Sequence, residues 1–310
     1  MLKCIFCGEE YPEEINETHC FCGNSKAEYT NLYSTSIKNY PFKETPLEKI
    51  GYNNVYGLDP NICLKREDKN PFGTFKDRKS TLIKHLRVPY FHKGKHAFTV
   101  GTLPFKTKFA LASSGNQAIS FSNICPEYAQ STYLYVSPNI SDEKLAKLHI
   151  YKEITFTNKI LSDGELRKFE DDRWNITNGM DPLGASALYK LGMELEPYNF
   201  DNIIVPLGSG ELYSMLAVYF GILRKKPTKI YPVQCKLPET DAIKTDFVAM
   251  TPFLQHFNPQ IVELYKDDRK NIQSYTEAYG CEFSSAVVFV ARDVLNLPSK
   301  TCLVVTGAKK

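Results

Sequence analysis

Short apolar runs alternate with amphipathic stretches along most of this 310-residue chain. The runs FALAS (109–113), TYLYV (132–136), EITFT (153–157), NIIVP (202–206), KIYPVQ (229–234) and TCLVVT (301–306) predict strands. Between them, apolar positions recur at helical spacing over about 116–125, 141–150, 183–196, 211–224 and 284–296. A further helix is expected just after residue 74. Asn70, Pro71 and Gly73 read as a tight turn, Thr74 is suited to cap, and Phe75, Leu82, Ile83 and Leu86 continue at helical spacing. On that reading Lys76 falls in the first helical turn, where the partial positive charge of a helix start disfavours a cation. Alternation of this kind argues for an α/β chain with parallel-rich sheets. No internal repeat appears, and the polar stretch 158–182 reads as a crossing between two lobes.

Composition narrows the class. With 43% hydrophobic and 24% charged residues the chain can bury a large core and divide into two lobes. The net charge of +3 is small and bases are interspersed with acids, so no nucleic-acid partner is indicated. No stretch reads as a membrane span. The start, MLKCIFCGEE, has one basic residue, no apolar h-region and no cleavage site, which argues against a signal peptide. Nine cysteines, an odd number, suit a reducing compartment, and a cytoplasmic location is expected.

Four cysteines are grouped. Cys4, Cys7, Cys20 and Cys22 form Cys-x2-Cys-Gly and Cys-x-Cys-Gly pairs, each followed by a glycine that permits a tight turn. Two thiolate pairs can close a tetrahedral zinc site, structural because four protein ligands leave no open position. Knuckle spacing also relates His19 to Cys22, so the fourth ligand is either Cys20 or His19. The alternative is a set of surface thiols or a redox pair, and the redox reading lacks the strand and helix such a motif needs.

Two strand-to-helix junctions carry glycine as anion sites do. ALASSGNQAIS presents Ser113, Ser114, Gly115 and Asn116 at a helix start, suited to a carboxylate or phosphate. IIVPLGSGELYSML presents Gly208, Ser209 and Gly210, whose glycines let backbone approach a phosphate closely. Each alone is equally a tight connection. Neither is a dinucleotide fingerprint, and no Gly-Lys-Ser/Thr triplet marks a nucleotide triphosphate loop.

Order adds what the single motifs lack. Asn-Pro-Phe-Gly-Thr-Phe-Lys-Asp-Arg, then Ser-Ser-Gly-Asn, then Val-Pro-Leu-Gly-Ser-Gly, then Glu282-Phe283-Ser284-Ser285-Ala286, then Thr306-Gly307 resembles the fold type II pyridoxal-phosphate enzymes. Within that group it is most similar to the threonine synthases, which commonly begin with a cysteine-rich ribbon and carry a Ser-Phe-Lys-Asp-Arg motif that GTFKDR closely matches. The resemblance covers nearly the whole chain. It implies a two-lobed, tryptophan synthase β-like α/β fold: a zinc-ribbon-like segment over 1–30, a large cofactor-binding domain over 31–80 and 175–310, and a small substrate-side domain over 81–174.

The resemblance also implies roles. Lys76 forms the internal imine with pyridoxal phosphate, where partial desolvation makes a lysine a usable nucleophile and base. Asn116 matches the asparagine bonded to the cofactor's phenolic oxygen. Ser113, Ser114, Gly115 and Gln117 match the loop receiving the substrate α-carboxylate, and Gly208, Ser209 and Gly210 match the phosphate loop. Thr306 matches the hydroxyl residue facing the pyridine nitrogen, a neutral partner that favours elimination and replacement at Cβ or Cγ. Asp77 and Arg78 either form a solvated pair or serve the site.

The implied activity is closest to conversion of O-phosphohomoserine to threonine and phosphate. Its substrate is a phosphorylated amino acid in that case, and its partner a second copy of the chain. β-Replacement or deamination of serine-like substrates (sulfhydrylase, cysteate synthase or dehydratase type) shares every motif. A catalytically degenerate relative acting as a binding protein is the third reading. Glu211 stands where most members have glycine, the stretch between Gln234 and Glu282 is short for a threonine synthase, and the chain stops four residues after Thr306. Glu211 is expected to open a helix and point away from the phosphate loop. Lys106 and Lys108 either meet a phosphorylated substrate or are surface charges.

Overall fold

The computed structural model describes residues 1–12, 20, 22, 30–36, 40–50, 61–87, 108–138, 140–157, 173–177, 179, 181–240, 243, 250–297 and 300–309. His19, Lys106 and most of the 158–182 stretch lie outside them. The chain divides into two compact units, Met1–Phe42 with Lys76–Ala187 and Ala249–Pro252, and Lys43–Phe75 with Leu188–Val248 and Phe253–Lys310.

In the first unit, β1 (Leu2–Cys4), β2 (Glu10–Tyr11) and β3 (Leu32–Ser34) form an antiparallel sheet ordered β2-β1-β3. Leu2, Cys4, Cys20 and Leu32 make a small core of their own beneath it. The larger sheet holds β6 (Lys108–Ser113), β7 (Tyr133–Val136), β8 (Glu153–Phe156) and β9 (Arg173–Asn175), ordered β8-β7-β6-β9 with every pairing parallel. The helices α1 (Asp77–Arg87) and α2 (Asn116–Ile124) share a core with this sheet. Leu82, Ile83 and Leu86 of α1 and Ala118, Ile119 and Phe121 of α2 are buried there with Phe109, Leu111 and Leu134. Phe109 and Phe121 meet edge to face at 5.3 Å. Each large apolar side chain so buried contributes about 1.5–3 kcal/mol.

The second unit is built on β4 (Leu47–Lys49), β5 (Ile62–Arg66), β10 (Asn202–Pro206), β11 (Lys229–Cys235), β12 (Val262–Leu264) and β13 (Thr301–Val305), ordered β12-β11-β10-β13-β5-β4. Every pairing is parallel except that of β4, at the edge. Ile203, Ile204, Val205, Leu303, Val304 and Val305 are fully buried. Parallel strands covered on both faces read as continuous apolar runs, which is why NIIVP and TCLVVT are legible. Tyr279 and Phe289 stack at 4.4 Å between the helices Arg269–Tyr279 and Phe283–Leu295.

All six expected strands are present within a residue at each end. The expected helix over 183–196 is broken into Pro182–Ala185, a 3-10 turn Ser186–Leu188 and Tyr189–Leu195. That over 211–224 runs as Glu211–Ala217 and then a π-helical segment, Val218–Leu223. The helix over 141–150 shortens to Asp142–Ala146. No helix among the described residues is long and apolar enough to cross a membrane.

Candidate functional site

In the second unit β10, β13 and β5 are parallel neighbours, so their carboxyl ends open at one edge of the sheet. Leu207 to Gly210 follow β10, Thr306 and Gly307 follow β13, and Glu67 to Phe75 follow β5. Ligands of open α/β sheets bind at such an edge. Gly208, Ser209, Gly210 and Thr306 are therefore brought together there. Gly210 is the N-cap of the helix Glu211–Ala217 at φ 87°, a left-handed conformation that favours glycine, and it offers no capping side chain. Glu211 opens that helix as expected, and it is buried.

The turn after β5 is held from several sides. An isolated antiparallel bridge pairs Thr74 with Gly307, and the Gly73 carbonyl accepts from Ala308 N–H at 2.9 Å. Phe75 N–H donates to the Thr306 carbonyl at 3.1 Å. Behind the turn, Asn70 Nδ2 donates to Glu67 Oε2 at 3.0 Å, and Thr45 Oγ1 donates to Glu67 Oε1 at 2.5 Å. Lys65 Nζ donates to the Thr45 carbonyl at 2.6 Å and pairs with Glu194 at 2.6 Å, with both side chains buried. Removing one partner of such a pair strands a buried charge, a loss of about 3–5 kcal/mol.

Lys76 is the next residue, half-buried at the start of the first unit. The expectation that Thr74 caps and Lys76 lies in the first turn is corrected. The helix α1 starts at Asp77, and the Lys76 carbonyl accepts from Ser80 N–H at 3.1 Å, so Lys76 occupies the N-cap. Thr74 lies two residues before that N-cap and pairs with Gly307 in an isolated bridge. Asp77 and Arg78 are not a solvated pair: both are fully buried, with the Arg78 guanidinium 4.6 Å over the Phe42 ring.

The second junction lies at the carboxyl end of β6. Gly115 is the N-cap of α2 at φ 122°, and Ser113 Oγ accepts from Gly115 N–H at 3.0 Å and Ala118 N–H at 3.2 Å. Ser114 is exposed, whereas Asn116 and Gln117 are buried. A Cβ on Gly115 would lie 2.8 Å from Lys144 Cδ, so the lysine stem packs against the junction. One turn beyond Lys76 and Asn116, Ser80 Oγ and Ser120 Oγ meet at 2.8 Å. That bond draws the starts of α1 and α2, and with them Lys76 and Asn116, into one neighbourhood.

Cys4, Cys7, Cys20 and Cys22 are also brought together. Their sulfurs all lie within 4.8 Å of one another, with Cys4–Cys22 and Cys7–Cys20 at 3.6 Å. A tetrahedral ion with bonds of about 2.3 Å sets sulfurs about 3.8 Å apart, so the four fit zinc. Burial pushes the Cys20 thiol up to about 12 and raises Cys4, while a hydrogen bond from the Glu9 backbone lowers Cys7.

Two residues carry more than the sequence reading gave them. Ser285 stood only as part of a motif, yet it bonds Thr306 Oγ1 at 3.0 Å and Gly307 N–H at 2.8 Å. Lys144 gave no signal, since its contact with Gly115 joins two elements. Taken unit by unit, the residues suit the groups that pyridoxal phosphate presents: in the second unit the Gly210 N-cap suits an anionic group and the Thr306 hydroxyl a ring nitrogen, and in the first unit Lys76 suits an aldehyde.

Comparisons with known proteins agree on the architecture. The chain is similar to an O-acetylserine dependent cystathionine beta-synthase from Helicobacter pylori at 20% identity and a TM-score of 0.68, covering 86% of this chain and 94% of that one. It is also similar to the processed form of threonine deaminase isoform 2 from Solanum lycopersicum, at 16% identity, TM-score 0.64, and 86% and 80% coverage. Maize serine racemase matches at 16% identity, TM-score 0.61, and 86% and 89% coverage. No curated protein sequence matches the chain. At these identities the structures carry the fold alone, the fold type II arrangement of mixed and parallel sheets. A family model described as pyridoxal-phosphate dependent enzyme matches residues 39–301, and the chain belongs to that family.

Proposed function

We propose that the protein is a pyridoxal-phosphate-dependent lyase or synthase for elimination or replacement at Cβ or Cγ of an amino acid, closest to threonine synthase. The observation that carries this reading is the placement of Lys76, directly after Phe75, whose N–H is held by Thr306 at the sheet edge that also bears Gly208 to Gly210. Bound cofactor supplies an electron sink that weakens the substrate's Cα–H bond. Lys76 would hold the cofactor covalently, then take the α-proton and return it to the carbon skeleton. Ser113, Ser114, Gly115 and Gln117 orient the α-carboxylate and Asn116 bonds the phenolic oxygen. Gly208, Ser209 and Gly210 hold the phosphate, and Thr306 meets the ring nitrogen. A homodimer in the cytoplasm belongs to the same proposal.

A second reading, β-replacement or deamination of serine-like substrates, is supported by the similar cystathionine beta-synthase, threonine deaminase and serine racemase. Borohydride reduction and peptide mass analysis of the cofactor-loaded protein should label Lys76, and Lys76→Ala should abolish the label. A panel of amino acids and phosphorylated amino acids then separates the readings. Phosphate from O-phosphohomoserine supports the first, and ammonia with a keto acid from serine or threonine supports the second. Label elsewhere, with no product, leaves the degenerate relative.

A structural zinc on Cys4, Cys7, Cys20 and Cys22 completes the proposal. Elemental analysis should find about one equivalent per chain. Because zinc binds thiolates, affinity should fall as pH falls, and a chelator should loosen the β1–β3 segment. Protein purified without chelator and lacking the metal would remove this part.

A further inference from the structure

Ser285 and Thr306 share a hydrogen bond whose direction is decided by what surrounds it. Ser285 lies in the helix Phe283–Leu295 with no exposed surface, so its hydroxyl cannot turn to water. A hydroxyl has one proton to give and two lone pairs to receive. Gly307 N–H donates into one lone pair of Ser285 Oγ at 2.8 Å, and a backbone amide cannot reverse that bond. The other partner of Ser285 Oγ among the described residues is Thr306 Oγ1, at 3.0 Å. A buried hydroxyl is strongly disfavoured without an acceptor, so the Ser285 proton goes to Thr306.

Thr306 is then an acceptor toward Ser285, and its own proton must point elsewhere. Among the described residues no protein acceptor takes it, since the Thr306 hydroxyl bonds only Ser285 and the Thr306 carbonyl is engaged by Phe75 N–H. Thr306 is 8% exposed, at the sheet edge that bears Gly208 to Gly210. The chain Gly307 N–H to Ser285 to Thr306 therefore offers a donor to whatever binds there. We infer that Ser285 is a positioning residue that fixes the Thr306 hydroxyl as a hydrogen-bond donor to an unprotonated ring nitrogen of the cofactor. This rests on the function proposed above and adds the residue that sets the polarity. Without Ser285, Thr306 can rotate and accept as readily as it donates, and the ring nitrogen can then hold a proton of its own.

The test uses the full chain loaded with pyridoxal phosphate carrying 15N in the ring, and reads the nitrogen chemical shift. The native protein should show the shift of an unprotonated pyridine. Ser285→Ala should move it toward the pyridinium position and weaken cofactor affinity about two- to tenfold, the range for one lost hydrogen bond. Ser285→Thr, which keeps the hydroxyl, should restore the native shift. A pyridinium shift in the native protein overturns the inference even if Ser285→Ala does not fold, and so does a Ser285→Ala shift identical to the native one. Borohydride labelling of Lys76 in the same sample separates the two levels. With label on Lys76 and a pyridinium shift, the enzyme reading stands and the role of Ser285 falls; with no bound cofactor, both fall.

Discussion

The junctions at 113–116 and 207–211 use one device in different surroundings. Each follows the carboxyl end of an interior strand and turns into a helix through a glycine N-cap at positive φ. At the first, Gly115 sits at φ 122° and ψ −52°, outside the left-handed helical region, with Ser113 Oγ taking two N–H groups and the Lys144 stem lying against it. At the second, Gly210 sits at φ 87° and ψ −6°, within that region, in a Gly-Ser-Gly run. On the function proposed above, the first junction, furnished with side chains, would receive an exchangeable carboxylate, and the second, a serine between two glycines, a retained phosphate.

Alanine at the two N-caps should separate these surroundings most strongly. Gly115→Ala forces a conformation close to glycine-only and meets the Lys144 stem, and should lower stability by about 1–3 kcal/mol. Gly210→Ala should cost about 1–2 kcal/mol of left-handed strain yet lose more cofactor affinity. Chemical denaturation and cofactor titration of both variants read this, and equal effects on both measures would erase the distinction.

A smaller change is expected from Glu211→Gly, which places there the glycine that the family resemblance leads one to expect. The carboxylate stands in the first turn, where the helix dipole favours it, and cofactor affinity should change less than about threefold. A large gain would mean that the carboxylate opposes the phosphate, and would shift weight to the degenerate relative.

The smallest effect concerns the far end of the same helical run. Partial burial works against the Glu196 carboxylate, but hydrogen bonds from Arg224 Nε and Tyr219 Oη, each 2.8 Å, bring it below its ordinary value. A lowered folded value means the stabilisation is full above the ordinary carboxylate range and is lost as pH falls through the folded value. Glu196→Gln should be slightly less stable than the native protein at neutral pH, and the gap should close in acid. Denaturation at several pH values would show a constant gap if the hydrogen bonds contribute nothing.

Interior strands and the ordered motifs were legible because their signal is local. NIIVP and TCLVVT are apolar on both faces, and Gly115 and Gly210 stand where strand meets helix. The strand Ile62–Arg66 was missed although it is a fully buried neighbour of β13. Its Lys65 and Arg66 look like solvent residues, and their partners make the burial tolerable: Glu194, 129 positions away (194 − 65), and the Thr45 carbonyl for Lys65, Asp68 and Glu48 for Arg66. The helix Arg269–Tyr279 was passed over too, although Ile272, Tyr275 and Tyr279 at i, i+3 and i+7 mark its apolar face.

By itself the sequence determined the α/β alternation, the four grouped cysteines and the lysine-bearing turn, since period, spacing and turn chemistry are properties of neighbouring residues. Tertiary structure alone decided that Thr74 pairs with Gly307, that Asp77 and Arg78 are buried, and that Ser285 shares a hydrogen bond with the Thr306 hydroxyl. Each of these depends on a partner from a distant segment competing for the same backbone group, ring face or lone pair, and no local pattern records which partner prevails.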